Sequence, residues 1–339
     1  MDRKSSHGLQ RPKVLITRPI QQSVIDLISQ HCDVQVHLVD EPMPPELLAS
    51  AMRDVDGVMP AGVRVSKEII DTAPRLRVIS NIAVGYDNID LEACNRRHIL
   101  VTNTAGVLTE ATADLAFALI LAAGRRVAEG DRYVRGGHWK QWQWNCLWGT
   151  EMHGKTLGLY GFGRIAQATA RRGRGFSMRI LYHARHRVAA SIENEFAAEL
   201  VDREILLRQS DFLSLHVPLT AETHHAIGAP EFALMKPSAF IINAARGPVI
   251  DEEALVQALQ AGRLAGAGLD VFENEPQVHP ELMAMDKVTL MPHVGSATAE
   301  TRMRMALLAS ENLLAALRGE RPPNLVNPEA ILKGGTLVP

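Results

Sequence analysis

The segment 156–172, TLGLYGFGRIAQATARR, constrains the fold more than any other part of the chain. A strand pattern over Thr156–Tyr160 runs into Gly161-x-Gly163-x-x-Ala166, and an Ala-rich helical pattern follows. Gly161 permits a tight turn, and Gly163 lets the backbone approach a pyrophosphate. Ala166 lets helix and strand pack closely, with the helix N-terminus facing the anion. A glycine triplet alone also arises from close packing at any strand-to-helix turn. Here the strand before it and the helix after it both fit, and the turn reads as dinucleotide-binding.

The rest of the chain repeats that unit. VLIT (14–17), VQVHLV (34–39), GVMP, LRVISN and ILVTN are short apolar runs, each separated from the next by a turn and a helical pattern. A second series follows near Gly106: TLGLYG, RILYH, FLSLHVP (212–218), AFIINAA (239–245), AGAGLDVF (265–272) and VTLMPH (288–293), with helical stretches such as 252–261 between them. Strands alternating with helices imply parallel sheets covered on both faces. Two series imply two doubly wound α/β domains. The long helical pattern at 299–317 follows the last strand and is expected to cross back to the first domain, making it discontinuous. The expected division is 1–107 with 301–339, and 108–300.

Composition narrows the function classes. The 339 residues are 46% hydrophobic, and 36 Lys plus Arg nearly balance 38 Asp plus Glu. No net field therefore attracts nucleic acid or anionic lipid. Cys32, Cys94 and Cys146 are far apart with no C-x-x-C pair, which suits a reducing cytoplasm rather than a disulfide framework. Residues 1–11 read as a disordered polar tail without the apolar core of a secretory signal. The most apolar helical stretch, 113–124, contains Asp114 and is too short for a bilayer. No metal is expected: His224 and His225 are adjacent rather than four apart, and no histidine–carboxylate set has zinc-ligand spacing. Phosphate-loop and nucleophile-elbow motifs are absent.

Chemistry-bearing residues gather at strand ends, where an open α/β sheet collects its ligands. Arg246 follows 239–245, Asp270 and Glu275 follow the next strand pattern, and His293 follows another. An anion holder, carboxylates and an imidazole at one sheet edge are the groups needed to reduce a carbonyl beside a carboxylate. The second strand of this domain ends in Leu181-Tyr182-His183-Ala184-Arg185-His186-Arg187. An NAD-binding fold usually places an acid there for the ribose 2′-hydroxyl. Ala184 stands in its place, and Arg185 and Arg187 offer guanidinium forks for a 2′-phosphate. NADP(H) is therefore the expected cofactor, with NAD(H) as the lesser alternative.

With VGYDNID (84–90), GFGRIA, INAARGPVIDEEAL, GLDVFENEP and MPHVGSAT in this order, the chain resembles the D-isomer-specific 2-hydroxyacid dehydrogenase family from about Pro12 to Pro328. HGKTLG, FGRI, ILYHAR and HVPLTAETHH are similar to its glyoxylate/hydroxypyruvate and 2-ketogluconate reductase branch. The resemblance implies two Rossmann-like domains, the first flavodoxin-like, with the active site in the cleft between them. It implies that Arg246 binds the substrate carboxylate and carbonyl, that His293 donates the proton and that Glu275 is its carboxylate partner. It assigns the substrate carboxylate to the backbone of Val84 and Gly85. Cofactor contacts are implied for Thr112, Phe162, Gly163, Arg164, Ile165, Pro218, Thr223, Ala244 and Asp270, beside Gly161, Ala184 and Arg185.

All four tryptophans, Trp139, Trp142, Trp144 and Trp148, fall within one short segment. By themselves they read equally as a packed local cluster. The resemblance makes the segment an arm across a homodimer interface, with Trp142 reaching the neighbouring subunit's pocket. The expected substrate is a small 2-oxo acid, reduced to an (R)-2-hydroxy acid. Two rival readings are an NAD-linked dehydrogenase of phosphite, formate or 3-phosphoglycerate, and a dinucleotide-sensing corepressor. The missing acid at Ala184 and the lack of a regulatory extension after Pro339 count against the serine-pathway version of the first. The second lacks the long tails and peptide-binding motif it would need.

Overall fold

The structure, a computed structural model, describes residues 11–331; all of the expected disordered tail but Arg11 lies outside the described residues. The chain divides into two compact units. The first runs to Leu108 and resumes at Thr298, and the second is Thr109–Ala297.

The first unit holds five strands, β1 (Lys13–Ile16), β2 (Asp33–Val36), β3 (Gly57–Met59), β4 (Val78–Ser80) and β5 (Leu100–Thr102), in the order β2-β1-β3-β4-β5. The second holds seven, β6 (Thr156–Tyr160), β7 (Arg179–His183), β8 (Ala198–Leu200), β9 (Phe212–Leu215), β10 (Phe240–Asn243), β11 (Gly266–Leu269) and β12 (Val288–Leu290), in the order β12-β11-β10-β9-β6-β7-β8. Every pairing is parallel. The first order is that of flavodoxin-like sheets, and the second extends the common dinucleotide-binding order by one strand.

The patterning follows from burial on both faces. FLSL, FIIN and GAGL in β9, β10 and β11 are buried at every position, as central parallel strands must be. In β11 the small residues also set a distance. A Cβ on Gly268 would stand 3.0 Å from the Cβ of Leu119, so the glycine lets helix Thr109–Gly124 lie close on the sheet. Helix Ala299–Leu317 belongs to the first unit and packs on β3, β4 and β5. There the buried Ser80 hydroxyl donates to the Ala309 carbonyl at 2.7 Å. The buried Asn327 amide donates to Asn95 and Ile99 and accepts from the Val101 amide, fastening the returning chain to β5.

Several expected boundaries shift. The run 34–39 is strand only to Val36, because β2 is a sheet edge and Leu38 and Val39 beyond it are exposed. The runs 212–218, 239–245 and 265–272 each leave the sheet early, at Leu215, Asn243 and Leu269. Their apolar tails bend over the sheet edge and build the loops described next. The short edge strand β8 gave no separate signal in the sequence. No described helix is long and apolar enough to cross a membrane.

Candidate active site

The site is built at the C-terminal edge of the seven-stranded sheet. Connections run in opposite directions from the neighbouring strands β6 and β9, so their ends form the crevice in which such sheets take ligands. Gly161 closes the turn after β6 with φ +92°, and a Cβ there would come within 2.8 Å of the His216 carbonyl oxygen at the end of β9. Its amide donates to the His183 carbonyl at 2.8 Å. No alanine fits that position without backbone movement. Gly163 precedes helix Arg164–Gly175, whose N-terminus no side chain caps. A Cβ on Gly163 would meet nothing within 4 Å. With no side-chain cap and no Cβ at Gly163, the first-turn amides are left for another acceptor, which is the arrangement that binds a phosphate. Ala166 is fully buried against the sheet. Arg164 is exposed and Ile165 half-buried, whereas the Phe162 ring stacks on Tyr182 at 4.2 Å in the core. Phe162 therefore meets the turn only through its backbone.

At the end of β7, Ala184 is half-buried and Arg185 exposed. Arg187 is not available as the second fork. Its guanidinium holds Glu193 at 2.8 and 3.0 Å, and the buried Tyr182 hydroxyl donates to the same carboxylate at 2.7 Å. Arg187 and Tyr182 hold the Glu193 carboxyl below the usual carboxylate range. The sequence missed this pairing because Glu193 comes from the next helix, Ala190–Phe196. After β9, Thr223 donates to the Pro218 carbonyl at 2.6 Å and accepts from the Thr220 amide, shaping the loop that carries both residues.

The candidate catalytic groups stand on the other half of the edge. Asn243, the last residue of β10, donates to the Arg246 carbonyl at 2.8 Å and accepts from the Ala245 amide at 3.0 Å, and so shapes the turn that carries Ala244 and Arg246. Asp270, just past β11, is buried. Its carboxylate accepts from the amides of Val294 and Gly295, both at 2.8 Å, and its carbonyl accepts from the His293 amide at 2.8 Å. Burial pushes the Asp270 carboxyl above its ordinary value despite these donors. Thr112, also buried, stands against Gly295 beside it. His293 occupies the left-handed region at φ +53° and its Nδ1 meets Glu275 Oε2 at 2.7 Å. The other oxygen of Glu275 accepts from the Phe272 amide at 3.1 Å. Burial raises the Glu275 carboxyl, but His293, the Phe272 amide and nearby Arg246 outweigh it and leave the group below the usual carboxylate range. Glu275 is thus a carboxylate at neutral pH, and an imidazole so held presents Nε2 for proton transfer.

In the first unit, Val84 and Gly85 lie in the loop after β4. Asn103 donates to the Val84 carbonyl at 2.9 Å and Asn81 to that of Gly85 at 2.7 Å. Among the described residues, the amides of Val84 and Gly85 donate to nothing, so two N–H groups on a fixed loop remain for an anion. Asn81, Asn103 and Asn243 were not singled out from the sequence. Each is an asparagine at or just beyond a strand end, a signal indistinguishable there from an ordinary turn residue. Trp142 is 73% exposed and touches Trp144 edge-on at 6.2 Å. The four tryptophans are all exposed, so no packed local cluster forms within the chain.

Comparison with known proteins places these features in a lineage. Residues 117–295 match the model of the D-isomer specific 2-hydroxyacid dehydrogenase NAD-binding domain. The chain is 49% identical over 326 residues to a glyoxylate reductase of Thermococcus litoralis, covering 95% of this chain and 98% of the relative. Among solved structures, a Thermus thermophilus protein aligns with TM-score 0.87 and 44% identity, over 93% of this chain and 99% of that one. The NADPH-dependent glyoxylate/hydroxypyruvate reductase of Sinorhizobium meliloti, solved with NADP and malonate, aligns with TM-score 0.85 and 34% identity, over 95% and 98%.

The turn at Gly161 admits a direct check. Gly161→Ala adds a Cβ against a backbone carbonyl in a left-handed conformation, and should weaken NADPH binding by at least about tenfold, roughly 1.4 kcal/mol. Titration of nucleotide fluorescence measures this, with circular dichroism confirming the fold. Unchanged affinity would mean that the dinucleotide does not bind at this turn.

Proposed function

The chain belongs to the D-isomer specific 2-hydroxyacid dehydrogenase family, and from that premise we propose that it is an NADP(H)-preferring reductase of glyoxylate, hydroxypyruvate and 2-ketogluconate. The chain is an NAD(P)-dependent oxidoreductase of the kind that reduces small 2-oxo acids. The observation that carries the reductase reading is the 2.7 Å His293–Glu275 bond on the same sheet edge as the uncapped turn at Gly163. The residues at that turn fit a dinucleotide: free helix amides, a glycine with open space before it, and Arg185 exposed where an acid would repel a 2′-phosphate.

When bound, the cofactor supplies the hydride for the substrate's carbonyl carbon. His293 delivers a proton to the carbonyl oxygen, and Glu275 orients the ring and keeps the proton on the pair. Arg246 binds the substrate carboxylate and stabilises the negative charge that grows on the carbonyl oxygen. The amides of Val84 and Gly85 take the substrate carboxylate. Asp270 would contact the nicotinamide amide, and Thr112 would contact the cofactor as well. Pro218, Thr223 and Ala244 would hold the nucleotide. The product is an (R)-2-hydroxy acid.

We further propose a homodimer through the exposed segment 139–148, with Trp142 entering the partner's pocket. Helix Val127–Arg135, which leads into it, has no buried residue, and four solvated tryptophans are a large apolar surface for one chain to leave open. Cys32 and Cys94 are buried free thiols pushed up to about 11 and about 12 by that burial, which suits a cytoplasmic protein.

Three measurements test this reading. First, kcat/KM should be higher with NADPH than with NADH across a panel of 2-oxo acids. Ala184→Asp should reverse the order by repelling the 2′-phosphate and offering the ribose an acceptor; equal or higher wild-type kcat/KM with NADH would remove the NADP claim. Second, His293→Ala should lower kcat for reduction by roughly 10²–10⁴-fold with little change in NADPH affinity. Glu275→Gln removes the negative charge beside the imidazole, so the alkaline limb of the reduction profile should move to lower pH. Coincident limbs in the two enzymes would leave Glu275 an orienting role alone. Third, light scattering at micromolar concentration should give twice the chain mass, and replacing Trp142 and Trp144 with serine should lower it; a monomeric wild type refutes the dimer.

A further inference from the structure

Outside the site described above, the structure gathers His224, His225 and Glu273, with one ligating atom from each lying within 4.8 Å of the others. Adjacent side chains in a chain normally diverge. These two converge because His225 takes a left-handed backbone, φ +50°, that turns its ring against that of His224, with centroids 4.1 Å apart. The His225 amide donates to the Pro248 carbonyl at 2.8 Å, which fixes the turn. Glu273 approaches from the segment after β11, and its Oε1 lies 2.6 Å from His225 Nε2. Its own position is set by a reciprocal pair of bonds with Glu252. The Glu252 amide donates to Glu273 Oε2 at 3.1 Å, and the Glu273 amide donates to Glu252 Oε2 at 2.9 Å. One carboxylate oxygen is therefore held by backbone, and the other is aimed at the imidazoles.

We propose that this cluster is a binding site for a divalent transition-metal ion. Ligands about 2.0–2.1 Å from a tetrahedral ion stand about 3.4 Å from one another. Side-chain rotation brings a group already this compact onto that geometry, with the ion taking the place of the proton between His225 and Glu273. Two imidazoles and one carboxylate select Zn²⁺, Ni²⁺ or Cu²⁺ over Mg²⁺ and Ca²⁺, which prefer oxygen donors. Three protein ligands leave a coordination position for water, and both histidines are exposed, so the ion has access from solvent. The backbone bonds to Glu273 provide the outer support that ligating carboxylates require. An ion here would tie the loop after β9 to the segment that carries Glu275. Binding itself does not depend on the reaction proposed above.

Isothermal titration of the tag-free full-length chain with ZnCl₂ at neutral pH tests the site. One saturable ion per chain is expected, with affinity weakened at least about tenfold in His224→Ala and in Glu273→Gln. His279→Ala should bind as the wild type does, since that histidine pairs with Glu253 outside the cluster. The His224 ring makes no described hydrogen bond, so its replacement leaves the fold intact even if Glu273→Gln disturbs the Glu252 pair. Co²⁺ titration of the wild type, followed by its visible absorption and by displacement with Zn²⁺, gives an independent readout of nitrogen and oxygen coordination. No saturable binding, or wild-type affinity in His224→Ala, overturns the proposal.

Discussion

The buried carboxylate of Asp270 is the interaction on which the reactive edge depends. It stands where β11 ends, and both of its oxygens accept backbone amides from the chain that leaves β12. Its carbonyl takes a third, from His293. Three bonds from one residue thus lock two neighbouring strand ends together and hold the histidine backbone in a region that L-residues avoid at a cost of about 1–2 kcal/mol. A carboxylate removed from water costs free energy unless its acceptors are filled, and here they are filled by amides that would otherwise be orphans at a strand end. The cofactor contact suggested for Asp270 by the family resemblance is compatible with this structural duty, because each carboxylate oxygen accepts one of these amides and keeps a second acceptor position.

Much of this was legible in the sequence, and the legible part has a common physical basis. β6 and β7 match their apolar runs residue for residue, since both strands are bracketed by turns that admit no other reading. Central strands that overran, such as 265–272, did so because loop residues at a ligand edge are themselves apolar and buried: Val271 and Phe272 are core residues outside any strand. Arg246, Glu275 and His293 could be placed at strand ends by position alone. Their partners could not. Asn243 holds the Arg246 turn through backbone bonds that no spacing rule encodes, and Arg187 looked like a phosphate ligand until Glu193 arrived from a different element. The same limit applied to His224 and His225, whose adjacency argues for divergence unless the backbone is left-handed.

Among the described residues, three histidines, His98, His225 and His293, adopt positive φ, and the comparison among them separates structure from chemistry. His98 Nδ1 meets the backbone carbonyl of Ala330 at 3.1 Å, a partner that merely fixes the ring and the segment around Ala330. His225 and His293 instead meet carboxylates, Glu273 and Glu275, both from the segment that follows β11 and turns back through the bridge between Asn274 and Gln277. Each carboxylate is pinned at one oxygen by a backbone amide, from Glu252 in one case and Phe272 in the other, and offers the remaining oxygen to its histidine. The same device thus appears twice on one loop. Where the ring stands on the edge that holds Arg246 and the turn at Gly163, the role we propose for it is proton transfer. Where a second imidazole stands beside it instead, the fixed oxygen and the ring nitrogen are the metal ligands we propose. The two pairs differ in the ring nitrogen that meets the carboxylate, Nε2 in His225 and Nδ1 in His293, so what each pair can do is decided by the nitrogen left free and by its third neighbour.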